Sequence, residues 1–210
     1  MQLKKSLIKT TAIVTTKHCL ICGRLIKPQT IYANYKVCAS CYRRLPFIYQ
    51  RTKIDDVKCL AIYEYSGLIK EMLLSLKVRG DIELAKAFLT PIKAYLISEY
   101  QGYQIIPIPS QIKQDQRRGF NHVVEIFKVL KLPIKNILIK NKDWKQSDQS
   151  FKNRSKIRNI LSLKGKINVH SKILLVDDIL TTGETMLAAI KLLQNLGVKK
   201  IAVLVVARRC

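Results

Sequence analysis

The chain has 210 residues, 48% of them hydrophobic, enough to bury the core of one ordinary domain plus a small appendage, which excludes a disordered chain. No apolar stretch approaches the roughly 18 residues that cross a bilayer, which excludes a spanning helix. Lys and Arg number 38 against 14 acids, a formal net charge of +24, so a polyanionic partner such as nucleic acid is expected; the bland alternative is lysines that merely keep the chain soluble.

Residues 1–17 read as a basic, weakly ordered lead-in. The apolar patch from Thr11 to Val14 is too short and Thr-diluted for a signal peptide and lacks a small-residue cleavage site, so a cytoplasmic address is expected. Cysteines stay reduced there. Cys19-x-x-Cys22 and Cys38-x-x-Cys41 are fifteen residues apart, the spacing of a two-knuckle metal site. Two intervening residues let both sulfurs of a pair turn inward on one tetrahedral ion. Four sulfur ligands leave no open coordination position, which points to structural Zn2+ rather than catalytic zinc. A redox dithiol is the alternative for a lone pair; two pairs at this distance argue against it. His18 reads as a solvated bystander, and Cys59 and Cys210 as uninvolved. Residues 18–56 thus form a zinc-binding module too small to fold on apolar burial alone. Its metal would supply about 10–16 kcal/mol of apparent binding free energy. Polar Arg51 to Asp56 reads as its boundary.

From 57 to 210 strand and helix signals alternate. Lys58 to Tyr65 reads as a strand, then Gly67 to Lys77 and Ile82 to Glu99 as helices. Tyr103 to Ile108 is a strand, Asn121 to Lys131 a helix and Ile134 to Ile139 a strand. Lys172 to Asp177 is a strand, Glu184 to Leu196 a helix closed by Gly197, and Lys199 to Ala207 a strand. Such alternation defines an α/β domain, a mostly parallel sheet with helices on both faces, whose ligands bind beyond the carboxyl ends of the strands.

Four segments carry chemistry. Ile105-Ile106-Pro107-Ile108-Pro109-Ser110 is a strand ending in alternating prolines, where ladder bonds must stop. Arg117-Arg118-Gly119-Phe120-Asn121 then opens a helix: Asn121 is a good N-cap, and the two arginines present forks suited to phosphate or carboxylate. Taken alone, this run is more often a surface turn. The polar stretch from Asn141 to Asn159 has the length of an active-site lid. The run from Ile173 to Met186, ILLVDDILTTGETM, joins a buried strand, two acids, a Thr/Gly turn and a helix. Backbone N–H groups of Thr181, Thr182, Gly183, Glu184 and Thr185, with the open helix N-terminus, suit a phosphate dianion. Asp177 and Asp178 can accept hydrogen bonds from vicinal ribose hydroxyls. As strand-end acids they are expected near solvent, outside the core. An ordinary capped βα turn is the alternative.

That run resembles the signature of type I phosphoribosyltransferases. The resemblance implies binding of 5-phosphoribosyl 1-pyrophosphate (PRPP) or ribose 5-phosphate together with Mg2+. Asp177 and Asp178 would then face the ribose hydroxyls, and Thr181 to Thr185 would wrap the 5′-phosphate. The order of landmarks, from paired cysteines through PIP and RRGFN to VDDILTTGET, resembles the ComF family from about Cys19 to Arg208. Members are competence-associated bacterial proteins with a zinc-finger module and a phosphoribosyltransferase-like domain. Arg118, Gly119, Phe120 and Asn121 match the family's central motif, adding Arg118 and Asn121 to the implied ligand-binding set, and Lys77 and Gly80 match a second segment. His122 stands where the family usually has Gln, and Gln111 where His is common.

The resemblance implies handling of single-stranded DNA during natural transformation, beside other competence proteins such as a DNA helicase. The basic stretch from Asn141 to Lys172, with Trp144 and Phe151 for base stacking, would be its footprint. Two further readings stand beside it: an active transferase moving phosphoribose from PRPP to a nucleobase or amine, and a non-catalytic PRPP-binding scaffold. No residue stands out as a general base for a nucleobase.

Overall fold

A computed structural model describes residues 17–27, 32–110, 112–141 and 161–209. The basic lead-in and the polar stretch carrying Trp144 and Phe151 lie outside the described residues.

Two-residue strands β1 (Lys17–His18) and β2 (Leu25–Ile26) pair antiparallel across the first cysteine pair, followed by short helices α1 (Tyr32–Tyr35) and α2 (Ala39–Arg43). Next come β3 (Phe47–Ile54) and β4 (Val57–Glu64), an antiparallel hairpin. The boundary expected at Arg51 to Asp56 falls inside this hairpin. Ile54 pairs with Val57 around Asp55-Asp56, and Asp55 takes the left-handed conformation (φ 56°) that tight hairpin turns require. Polarity there marks a turn and an edge strand.

The chain continues through α3 (Gly67–Leu74), α4 (Ala85–Leu89), α5 (Lys93–Glu99), β5 (Tyr103–Pro107), α6 (Ile112–Arg118) and α7 (His122–Phe127). It ends with β6 (Leu138–Lys140), β7 (Leu161–Leu163), β8 (Lys172–Leu180), α8 (Glu184–Asn195) and β9 (Lys200–Arg208). The main sheet has the order β3-β4-β9-β8-β5; β4, β9, β8 and β5 run parallel. β8 and β9 are nearly continuous apolar runs, as strands buried on both faces must be. Leu174, Val176, Leu204 and Val206 pack beneath α4 and α7, while Ile173, Leu175, Val203 and Val205 pack against α8.

The helix expected from Ile82 to Glu99 is broken: Pro91, lacking an N–H, sits in a 3-10 turn (Thr90–Ile92) between α4 and α5. The helix from Gly67 ends at Leu74 and runs on as a π turn, Ser75–Arg79, stopped by left-handed Gly80 (φ 74°). The strand expected over Ile134 to Ile139 splits. Ile134 makes one bridge to Ile105, and β6 pairs with β7 in a separate ribbon.

Candidate functional site

Asp177 and Asp178 stand toward the carboxyl end of β8, which lies between β9 and β5, at the end of the sheet where parallel strands present ligands. Asp178 is buried at 6% exposure, where its strand-end position predicts an acid near solvent. The cause is that β8 does not stop at Asp177. It follows β9 as far as the Leu180–Arg208 pair, and α7 packs over the same end. His122, the first residue of α7, brings Nε2 to 3.3 Å from Asp178 Oδ2, and Lys77 Nζ forms an ion pair with that oxygen. Burial alone would raise the Asp178 carboxyl; His122 and Lys77 outweigh it and hold the group well below the ordinary carboxylate range. Asp177 goes the other way. Burial and then the charge of Asp178 push its carboxyl well above the ordinary value, with the Asp178 N–H donating to Asp177 Oδ1 at 2.9 Å in partial compensation. Neighbouring acids driven apart by their surroundings are a recurrent mark of functional sites.

Lys77 arrives on the π turn, a helix irregularity frequent at functional sites. Arg118, at the end of α6, fixes that turn: its Nη1 donates to the Lys77 carbonyl at 3.3 Å and its Nη2 to Asp115 Oδ1 at 2.6 Å. Among the described residues, Arg118 Nε and His122 Nδ1 are buried without a hydrogen-bond partner, and His122 Nε2 meets Asp178 Oδ2 as a charge contact without hydrogen-bond alignment. Asn121 caps α7, accepting from the Val124 N–H at 3.0 Å, and donates to Asp115 Oδ2 at 2.8 Å and Ser110 Oγ at 3.0 Å. The RRGFN run thus opens a helix as expected, while Arg118 and Asn121 are engaged in a network that positions Lys77 and His122. The loop from Thr181 to Thr185 follows the acids directly, with Thr181, Thr182 and Glu184 exposed. Gly183 caps α8 at φ 78°; a Cβ there would meet Leu180 at an ordinary 3.6 Å, so conformation rather than space demands glycine.

Sequence reasoning missed the pairing of His122 and Lys77 with Asp178, and missed Asp115 and Ser110 entirely. His122 lies one helical turn before Ile126 on the buried stripe of α7, which is the signal that could have placed it in the core.

The four module cysteines converge. One ligand atom from each of Cys19, Cys22, Cys38 and Cys41 lies within 4.8 Å of the others, and Cys22 Sγ is 3.7 Å from Cys38 Sγ. Sulfurs about 2.3 Å from a tetrahedral ion stand about 3.8 Å apart, so the donor set fits a metal. Burial would raise the Cys22 thiol, but the Arg24 backbone and the neighbouring cysteines bring it down to about 7, while burial and the same neighbours push Cys41 up. His18 Nδ1 lies 2.9 Å from the Gly23 carbonyl, outside the sulfur cluster.

The sheet order, the acid pair toward the end of β8 and the Thr/Gly loop before α8 define a phosphoribosyltransferase-type α/β domain, here preceded by a four-cysteine cluster able to hold a metal ion. A family model described as "Phosphoribosyl transferase domain" matches residues 116–210. The chain belongs to the ComF family of competence proteins. It is 30% identical over 190 residues to Competence protein ComFC of Bacillus subtilis (strain 168), covering 88% of this chain and 74% of that one. Competence protein ComFC of Streptococcus pneumoniae (strain ATCC BAA-255 / R6) is 30% identical over 141 residues, 67% of this chain and 64% of that one. Among solved structures, an adenine phosphoribosyl transferase from Trypanosoma brucei is similar at 16% identity and TM-score 0.38, over 70% of each chain. Among the described residues no helix is long and apolar enough to cross a membrane.

Proposed function

We propose that the protein is a cytoplasmic competence factor that binds PRPP or ribose 5-phosphate at the end of β8, holds a structural zinc, and handles single-stranded DNA during natural transformation. The observation that supports this most directly is the acid pair, one member kept ionised by Lys77 and His122, beside an exposed Thr/Gly loop with a helix N-terminus. Asp177 and Asp178 would accept hydrogen bonds from the ribose hydroxyls, and the N–H groups from Thr181 to Thr185 would hold the 5′-phosphate. Mg2+ entering with PRPP would neutralise pyrophosphate charge that the two acids oppose. Zinc at Cys19, Cys22, Cys38 and Cys41 would be structural, since all four positions are sulfur.

The second reading, a working transferase, rests on the same pocket. In either reading the ion pair of Lys77 with Asp178 has to give way where a ribose hydroxyl takes that oxygen, and the lack of a general base for a nucleobase legible in the sequence favours binding without turnover. Calorimetric titration with PRPP and Mg2+, followed by a pyrophosphate-release assay across bases and amines, separates the readings. Binding without release is expected; release with one acceptor establishes a transferase, and no heat at millimolar PRPP refutes both.

A further inference from the structure

We propose that single-stranded nucleic acid runs through the tyrosine-lined groove between the cysteine module and α4–α5, on the β3 edge of the sheet. This rests on the reading that the protein handles single strands, and it moves the footprint away from the basic stretch after Asn141. The groove has a volume of about 590 Å³, within the range of roughly 300–1,000 Å³ for ligand sites. Its walls carry Tyr35, Tyr42, Tyr49 and Tyr95.

The aromatic wall is a ladder. Tyr35 stacks on Tyr42 (5.6 Å between centroids, 20°), Tyr42 tilts onto Phe47 (5.5 Å), and Phe47 stacks on Tyr49 (5.3 Å, 6°). Tyr49 closes it by an unusual route. Phe47 pairs with Tyr63 and Gln50 with Ala61, so β3 carries one extra residue there, and Tyr49 takes a left-handed backbone at φ 45°. Such bulges re-aim side chains at sheet edges. A bulky residue held at positive φ is rare, and strain of that kind clusters at binding sites. Tyr49 is left 43% exposed and Tyr95 41%.

Charge complements the rings. Lys36, Lys86 and Lys93 line the same groove, and a second hollow sharing Lys86, Lys93 and Val129 continues it past Lys128 and Lys131. The acids among these lysines are Glu83, paired with Lys86 at 2.8 Å, and Glu125, paired with Lys128 at 2.5 Å. Lys86–Glu83 is exposed, and Lys128 is exposed beside a half-buried Glu125, so both lysines can turn to phosphate at little cost. The ladder braces Tyr49 from behind, and the exposed rings of Tyr49 and Tyr95 beside these lysines supply the stacking surface and electrostatic channel by which proteins hold single strands without reading sequence.

Fluorescence anisotropy of the full chain with labelled oligothymidylate tests this. Tyr95→Ala, on an exposed helix face, and Tyr49→Ala are each expected to weaken binding about tenfold with the salt slope unchanged. Lys36→Gln, Lys86→Gln and Lys93→Gln together should reduce the slope of log affinity against log salt by about 2, at roughly 0.7 per phosphate contact. Photo-crosslinking of 5-iodouracil oligonucleotides should label Tyr49 or Tyr95, a readout that does not depend on a variant folding. Wild type that binds while the groove variants bind equally well overturns the location and leaves single-strand binding standing. Wild type that binds nothing overturns both. Polyglutamate competing as well as DNA overturns the stacking platform and makes the groove a dock for acidic peptides.

Discussion

Asp178 and Asp177 differ by one position and sit in opposite electrostatic states, and the cause is side chains from two other elements. Lys77→Met removes a partner from a buried acid, so Asp178 keeps only His122 and its carboxyl rises. Stability should drop by about 1.5–3 kcal/mol, the scale of a lost charge-assisted bond, and Lys77→Arg should recover part of it; urea unfolding measures both. The pH dependence carries a defined sign. Asp178, depressed in the fold, stabilises it above the ordinary carboxyl value near 4 and loses that contribution as pH falls through its folded value. Asp177, raised in the fold, contributes at low pH and loses that contribution as pH rises through its folded value. Ribose hydroxyls donate to an ionised carboxylate, so ligand binding at Asp177 should release a proton and tighten as pH rises. Calorimetry in two buffers of different ionisation heat reads this; identical heats in both would remove Asp177 from the ligand set. The acids, the Thr/Gly loop and the Asn121 cap were legible because each is a local pattern with a local reason. Lys77, His122 and Asp115 were not, because their roles come from contacts between α7, the π turn and β8 that no spacing along the chain encodes.

Elements that look separable in sequence are shared in the structure. Cys19, Val37, Cys41 and Leu45 of the cysteine module belong to the same buried cluster as Leu60, Phe88 and Phe127 of the main domain. Tyr63, fully buried in β4, donates its hydroxyl to the Phe88 carbonyl at 2.7 Å and lies 4.8 Å from the Phe47 ring, so β3 and β4 fasten the module's exit to α4. The module therefore leans on the domain for its apolar burial, beside whatever the proposed zinc contributes. Replacing Cys19 or Cys41 by Ser should release zinc and lower the melting temperature of the whole chain in one transition. Scanning calorimetry with metal analysis decides it: two separated transitions, the larger unchanged, would mean that the module folds alone. The parallel strands were readable because strands buried on both faces are continuous apolar runs. The helix from Ile82 to Glu99 was misjudged because its apolar stripe continues across Pro91, where the backbone cannot. Arg51 to Asp56 reads as a boundary because the solvated end of an edge strand and its hairpin turn are as polar as one.

At the scale of the whole molecule, a net charge of +24 on 210 residues is distributed rather than confined to one element, and this decides how binding should respond to salt. A diffuse cationic surface attracts any polyanion weakly; a track ordered by stacking rings fixes how many phosphates are neutralised. With about five phosphates in contact, log affinity for single strands should fall with log salt at a slope of about −3.5. The stretch carrying Lys152, Arg154, Lys156 and Arg158 is the other dense source of charge. Reversing those four should weaken binding at low salt. It should flatten the slope only by the number of phosphates the stretch touches. If the groove holds three of five, that leaves about −2 after reversal, against about −1.4 when the groove lysines are replaced instead. Duplex DNA should compete poorly in both cases, since paired bases offer no face to Tyr49 or Tyr95. Anisotropy titrations between about 50 mM and 200 mM salt, with single-stranded and duplex competitors, give all three numbers. Equal competition by duplex, or affinity insensitive to salt, would reduce the charge excess to a property of composition.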